Sequence, residues 1–426
     1  MPRQRTGVKG TVRRFLRVFG PGLVAGASDN DPSAIGSFAT AGAATGFATL
    51  WTALFIFPMA VIVQFICAKV GMVGGVGIAG ALKKYYSPLL LYPIVFALTL
   101  ANTIAAGADI GAIAAAINLL APIPIAVLIV PIAATILMMQ LWLSYRRIVT
   151  IFKWLTFALF AYVGAAFLAH PNWAEVLRQT FIPTFSFDSK FLSAVVALFG
   201  ATLSPYLFFW QASQRVEEQL VLGRKHRWQR TGASDSEVTY AVWDINIGMF
   251  VAIAVMYFII LASAVTLHHG GQRELNSAAD VAKALEPLAG RAAGALLAVG
   301  LIGSGLLAVP VLTGSAAYAI SEVFGWEYGL NHHPGRAREF YATIAASTVI
   351  GLIINFIGIS PIRALFLASV INGFLAPPLW VVVLLIANNK SIMGVRTNGW
   401  AINIAGALIA VVLFAAAVTL LVSWVN

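Results

Sequence analysis

Long apolar runs separated by short polar connectors make up nearly the whole chain. About eleven of them reach the ~20 residues that a helix needs to cross a bilayer core. They lie near 19–43, 47–70, 89–119, 122–143, 149–169, 191–215, 239–267, 292–320, 340–359, 362–387 and 399–424. None shows the alternating pattern of a membrane β-barrel. The pattern predicts an all-α integral membrane protein, one transmembrane domain over residues 1–426 with no soluble domain. The longest polar insertions are 170–190, 215–237 and 268–291. Residues 71–80 (GMVGGVGIAG) are Gly-rich but do not match a phosphate-binding loop. They read as a connector, with a short helix at the membrane surface as one form.

Two of the runs are interrupted. The first, GPGLVAGASDNDPSAIGSFATAGAA, carries Asp29, Asp31 and Pro32. One carboxylate at the middle of a bilayer costs about 2.5–3.5 kcal/mol even on the mildest scale. Proline lacks an N–H and clashes with the preceding turn. The sixth run contains FGATLSPYLFFWQAS and is broken at Pro205. The two breaks lie five spans apart, an odd number, so the two halves enter the membrane in opposite orientation. Interrupted helices at matching positions in two halves point to an inverted-repeat transporter. The expected division is a first repeat over 19–170, a second over 190–387 and an extra C-terminal helix over 399–424.

Composition agrees with the pattern. Hydrophobic residues make up 60% and charged residues only 10%, against about 25% charged in soluble domains. A net charge of +11 raises the question of nucleic acid, but its distribution speaks for topology. With residues 1–18 as a basic cytoplasmic arm, only Arg178, Lys190, Arg273, Lys283, Arg291 and Arg363 of the 27 Lys and Arg fall outside. That bias predicts a multi-pass protein of the inner cell membrane, N-terminus cytoplasmic and C-terminus outside. No small-residue cleavage site follows the arm, so it does not read as a signal peptide. The single cysteine, Cys67, excludes an internal disulfide and reads as a small core residue. No metalloprotease, phosphate-loop or nucleophile-elbow pattern occurs, so no enzyme is expected.

The breaks set the available chemistry. Unwound backbone frees carbonyls near Ser28 and Ala201, Asp31 supplies negative charge, and Ser204 adds a hydroxyl. All six histidines fall in or beside loops. An all-oxygen set suits hard cations such as Mg²⁺, Ca²⁺ or Mn²⁺, and with few carboxylates the ion keeps some water, as Mg²⁺ tends to do. Asp29 reads either as a further ligand in the unwound stretch or as a charge of the vestibule. Asp109, deep in the third run, suits a proton relay, gating or a hydrogen bond to a neighbouring helix. Asp244, Glu217 and Glu218 sit at inner ends, where gating or salt bridges are expected. Asn372, beside Gly373 and the Pro377–Pro378 pair, either completes a cation shell or bonds another helix.

With these residues in view, the chain resembles the NRAMP family of divalent-metal transporters over nearly its whole length. The GPG…DP opening followed by ATAGA resembles that family's first helix, with its Asp-Pro-Gly-Asn motif. GATLSPYLFFWQAS resembles the sixth, where Met-Pro-His-Asn follows Gly-Ala-Thr-Val. The resemblance implies a LeuT-type fold of five-plus-five inverted repeats with about eleven transmembrane helices. It implies a metal site of Asp31, Ser28, Ala201 and Ser204, with Asp29, Ala34, Tyr206, Gln211, Ser369 and Asn372 around it and Asp109 in a proton or gating role. The chain also departs from the family. Ala34 stands for the asparagine ligand, Ser204 for the methionine, Tyr206 for the histidine, Leu207 for the asparagine after it, and Ser369 for a glutamine. Asn102 and Ala112 replace two glutamates of the proton route. These departures resemble a divergent, magnesium-transporting branch that lacks the thioether and does not couple protons. The implied function is alternating-access movement of a divalent cation, Mg²⁺ or Mn²⁺. The partners would be that ion and the lipid bilayer, with no nucleic acid and no cofactor beyond the transported ion. The alternative is a Na⁺- or H⁺-coupled carrier of amino acids or other small organic solutes on the same fold.

Overall fold

A computed structural model describes residues 25–26, 28–143, 147, 157–224, 226–330, 332–356 and 358–425. The expected basic arm at 1–18 and the first part of the fifth run, 149–156, lie outside the described residues. Eleven helices carry the architecture here: α1 (Pro32–Thr45), α2 (Thr52–Gly74), α3 (Pro88–Leu120), α4 (Ile125–Trp142), α5 (Ser189–Thr202), α6 (Pro205–Val221), α7 (Asp235–Ser263), α8 (Ala293–Phe324), α9 (Arg338–Ile354), α10 (Pro361–Asn388) and α11 (Trp400–Val425). Among the described residues, eight helical segments are long and apolar enough to cross a membrane. The remaining expected spans are the broken first run, the fifth run with its short apolar helix Phe157–Leu168, and α9, which has 17 residues.

Both expected breaks are present, and the prolines explain their form. Residues 25, 26, 28 and 29 are helical, the chain bends at Asn30, and Asp31 is extended (φ −68°, ψ 168°) before Pro32 opens α1. Likewise α5 stops at Thr202, and Ser204 (φ −65°, ψ 129°) precedes Pro205, which opens α6. Proline at the first helical position loses nothing, because that N–H has no partner within its own helix. It does deprive the carbonyl four residues earlier of its helical donor. Those carbonyls belong to Ser28 and Ala201.

The helices form two packed groups. In one, α1 and α2 both pack on α7, and α6 packs on α2. In the other, α3 lies against α8, α9 and α4. Helices α5 and α10 pack on each other and on α1, and α11 covers them from outside. Small residues allow the closest approaches. A Cβ on Gly200 of α5 would run into the Ser369 carbonyl of α10, and one on Gly107 of α3 into the Gly351 carbonyl of α9. Helices α4 and α11 leave much of their apolar surface uncovered, Val127, Trp142, Leu408 and Val411 among it. Such a surface suits peripheral helices facing lipid chains. Cys67 is buried, as expected of a core residue.

The connector between α2 and α3 is a short helix, Ile78–Tyr85. Its start is held by Glu322 of α8, whose carboxylate accepts from the backbone N–H groups of Gly77 and Gly80, both at 2.8 Å, and from the Tyr328 hydroxyl at 3.3 Å. Gly75 just before it is left-handed (φ 63°), which glycine adopts without steric cost.

Candidate cation site at the helix breaks

The first turn of α1 offers unpaired backbone donors and the positive end of a helix dipole. Two carboxylates answer it. Asp31 Oδ1 accepts from the Ala34 N–H at 2.7 Å and from the Ser33 hydroxyl at 2.6 Å. Asp109, arriving from α3, accepts from the Ser33 N–H with Oδ1 at 3.1 Å. The Ser33 carbonyl in turn accepts from the hydroxyls of Ser37 at 2.7 Å and Ser369 at 3.3 Å. Every polar atom of Ser33 is thus engaged.

Tyr206, on the first turn of α6, joins the two breaks. Its hydroxyl lies 3.1 Å from the Ser28 carbonyl and 3.1 Å from Asp31 Oδ2. A phenol has one proton to donate, so the two acceptors share it. The Tyr206 carbonyl is held from α8 by the Ser315 hydroxyl at 2.9 Å. The Ser28 carbonyl deprived by Pro32 therefore finds its donor on the other broken helix. The Ala201 carbonyl, deprived by Pro205, accepts from the Ser204 hydroxyl at 2.8 Å, which is also 2.7 Å from the Gly200 carbonyl.

Direct hydrogen bonds connect Ser28, Asp31 and Tyr206, and through Ser33 also Asp109 and Ser369. Ser204 and Ala201 sit at the facing break, bonded to each other. Ala34 contributes its backbone N–H to Asp31, and its methyl group cannot ligate. Other polar groups at this depth are left over. Ser28 Oγ, Asp29 Oδ1, Asn30 Oδ1, Asp109 Oδ2, Asn372 Oδ1 and both amide atoms of Gln211 are buried with no hydrogen-bond partner among the described residues. Buried polar atoms of that kind are costly unless something else satisfies them. Asp29, Asp31 and Asp109 are 1%, 2% and 0% exposed. No ion pair among the described residues includes any of the three. Nor, among the described residues, do three or more His, Cys, Asp or Glu side chains converge as a metal cage. The donor set is mixed: carboxylate, backbone carbonyl, hydroxyl and amide.

The C-terminal half of α6 carries a buried ion-pair cluster. Arg215, 2% exposed, pairs with Asp244 of α7 at 2.7 Å and with Glu218 at 2.9 Å. This is the salt-bridge alternative expected for those acids. Glu217 accepts from the Tyr318 hydroxyl of α8 at 3.2 Å. Sequence reasoning did not single out Ser33 or Tyr318. A serine after Asp-Pro, where the family motif has glycine, is the signal that could have found the former.

Comparison with known proteins identifies the family and the fold. The family model "Natural resistance-associated macrophage protein-like" (Nramp) matches residues 22–423. A Klebsiella pneumoniae protein named divalent metal cation transporter MntH is 26% identical over 405 residues, 91% of each chain. The Pectobacterium carotovorum protein of the same name is 27% identical over 409 residues, covering 93% of this chain and 92% of that one. In three dimensions, a mutant of the Eremococcus coleocola manganese transporter superposes with a TM-score of 0.78 at 19% identity, covering 99% of this chain and 88% of that one. Mhp1, a nucleobase-cation-symport-1 family transporter, superposes with a TM-score of 0.58 at 14% identity, covering 93% and 91%. The chain is thus a multi-pass membrane protein with a LeuT-like fold, and it belongs to the Nramp family of transporters.

Proposed function

We propose that this chain moves a divalent metal cation of the Mg²⁺ or Mn²⁺ class across a membrane by alternating access. The observation that carries this reading is the buried Asp31 carboxylate at the meeting point of two broken helices. It lies beside a carbonyl stripped of its helical donor, with Asp29 and Asp109 buried nearby and no paired basic residue among those described. Such a concentration of negative charge in a low-dielectric interior calls for a cation. The relatives named as divalent metal cation transporters support the same class.

Asp31 is the central charge. The Ser28 and Ala201 carbonyls and the Ser204 hydroxyl complete the protein ligands, with Asp29, Gln211, Ser369 and Asn372 around them. A shell this sparse leaves the ion several waters, which suits Mg²⁺, and without a thioether or imidazole it gives softer metals no advantage. The cation runs down its own gradient, because Asn102 and Ala112 replace the acids of a proton route. The protein sits in the inner membrane with its basic arm on the cytoplasmic side, following the distribution of Lys and Arg. A carrier of organic acids fits less well, since Asp31 would repel a substrate carboxylate.

The test is uptake of Mg²⁺ and Mn²⁺ into proteoliposomes, with internal pH recorded. Asp31→Ala is expected to abolish uptake in correctly folded protein, and wild-type transport is expected to leave internal pH unchanged. Uptake by the variant at normal affinity would sink the site assignment. Acidification that tracks the metal would return Asp109 to a proton role.

A further inference from the structure

We infer that Ser33 makes Asp31 a one-oxygen ligand, and that this sets the site against Ca²⁺ and in favour of smaller octahedral cations. The inference rests on the cation-transport reading above and specifies its selectivity. A carboxylate can grip a cation with one oxygen or with two. At Asp31 the choice is made before any ion arrives. Oδ1 already accepts two short hydrogen bonds, from the Ser33 hydroxyl at 2.6 Å and the Ala34 N–H at 2.7 Å, which uses its two lone pairs. Oδ2 has only the Tyr206 hydroxyl, shared with the Ser28 carbonyl. A cation seated between Asp31 Oδ2 and the Ser28 oxygen therefore takes the two acceptors that the Tyr206 hydroxyl now holds, and that hydroxyl turns away to admit it.

The backbone of Ser33 is held in place beside Oδ1. Its N–H is held by Asp109 from α3, and its carbonyl accepts from Ser37 and from Ser369 of α10. The backbone of Ser33 is thus held by α3 and α10 and within α1 itself, which keeps its side chain beside Oδ1. Ser33 itself is 3% exposed, so water does not compete for the bond.

Coordination chemistry turns this into selectivity. Mg²⁺ holds six oxygens at about 2.0–2.1 Å in near-ideal octahedral geometry and keeps several waters, so a single carboxylate oxygen suits it. Ca²⁺ takes six to eight oxygens at about 2.3–2.6 Å and gains from two-oxygen carboxylate contacts. Mn²⁺ shares the octahedral oxygen preference. A site whose one central carboxylate offers a single oxygen withholds from Ca²⁺ the contact that would favour it.

The experiment is calorimetric titration of the purified full-length protein with MgCl₂, MnCl₂ and CaCl₂. Ser33→Ala and Ser33→Gly, which both lose the hydroxyl, are compared with Ser33→Thr, which keeps it. The two hydroxyl-free variants are expected to raise the Ca²⁺-to-Mg²⁺ affinity ratio on the order of tenfold, the scale of one hydrogen bond to a charged group. The threonine variant is expected to keep the wild-type ratio. Divalent binding with an unchanged ratio in both hydroxyl-free variants would overturn the inference and leave the transport reading standing. Failure of the wild-type protein to bind any of the three ions would overturn both.

Discussion

Asp31 and Ser204 occupy equivalent places, each an extended residue followed by proline at a helix start, yet their side chains behave differently. Asp31 caps its own helix through Ala34. Ser204 makes no capping bond to α6, and its hydroxyl turns back to the Gly200 and Ala201 carbonyls. The Ser204 side chain can therefore be exchanged without costing α6 its start. Ser204→Met is expected to raise Cd²⁺ and Mn²⁺ transport relative to Mg²⁺, because a thioether favours softer ions. Competition assays in proteoliposomes would measure the shift, and an unmoved preference would mean that residue 204 does not face the ion. The carbonyls of Ser28 and Ala201 were legible in the sequence, since each stands four residues before a proline. The partners of Tyr206 were not, because its hydroxyl meets Asp31 from 175 residues away. No local pattern says which side chain of one break will reach the other.

Among the elements, α6 carries the most varied load. Its first turn reaches the site through Tyr206, and its C-terminal half is tied to three neighbours: to α7 through Arg215, to α8 through Glu217, and to α2 through Gln219, whose amide donates to the Met72 carbonyl at 2.9 Å. The Arg215 pair joins two helices of the same packed group, whereas the Glu217–Tyr318 bond crosses to the other. Removing the guanidinium strips a buried carboxylate of its counter-charge, a change that costs about 3–5 kcal/mol. Arg215→Leu is therefore expected to lower the thermal unfolding temperature of the detergent-solubilised protein clearly. An unchanged transition would show that the pair contributes little. The acids here were recognisable from their position at inner helix ends. Which of them would pair with Arg215 was not, since that depends on how α6 and α7 pack.

For the whole molecule, the apolar pattern was the most informative signal, because a bilayer leaves helices as the economical way to satisfy backbone groups. Helix order and both breaks follow from it together with proline chemistry. Packing contacts such as Gly107 against Gly351 do not, because many glycines in such chains are equally small. Orientation is the property that the Lys and Arg distribution addresses. A reporter active only in the cytoplasm is expected to be silent when fused to the C-terminus. Activity there would reverse the assigned topology.

The grip of Glu322 on the connector between α2 and α3 has a mechanical consequence. It fixes the connector that follows α2 onto α8 through two backbone bonds, with the left-handed Gly75 between that clamp and the end of α2. If α2 tilts during transport, the clamped connector makes that end the pivot. At 1.5 Å per residue, the 23 residues of α2 make a lever of about 34 Å, so a tilt of about 10° would carry its free end about 6 Å. With the pivot beside the clamp, the travel of such a tilt would accumulate at the end of α2 that follows α1.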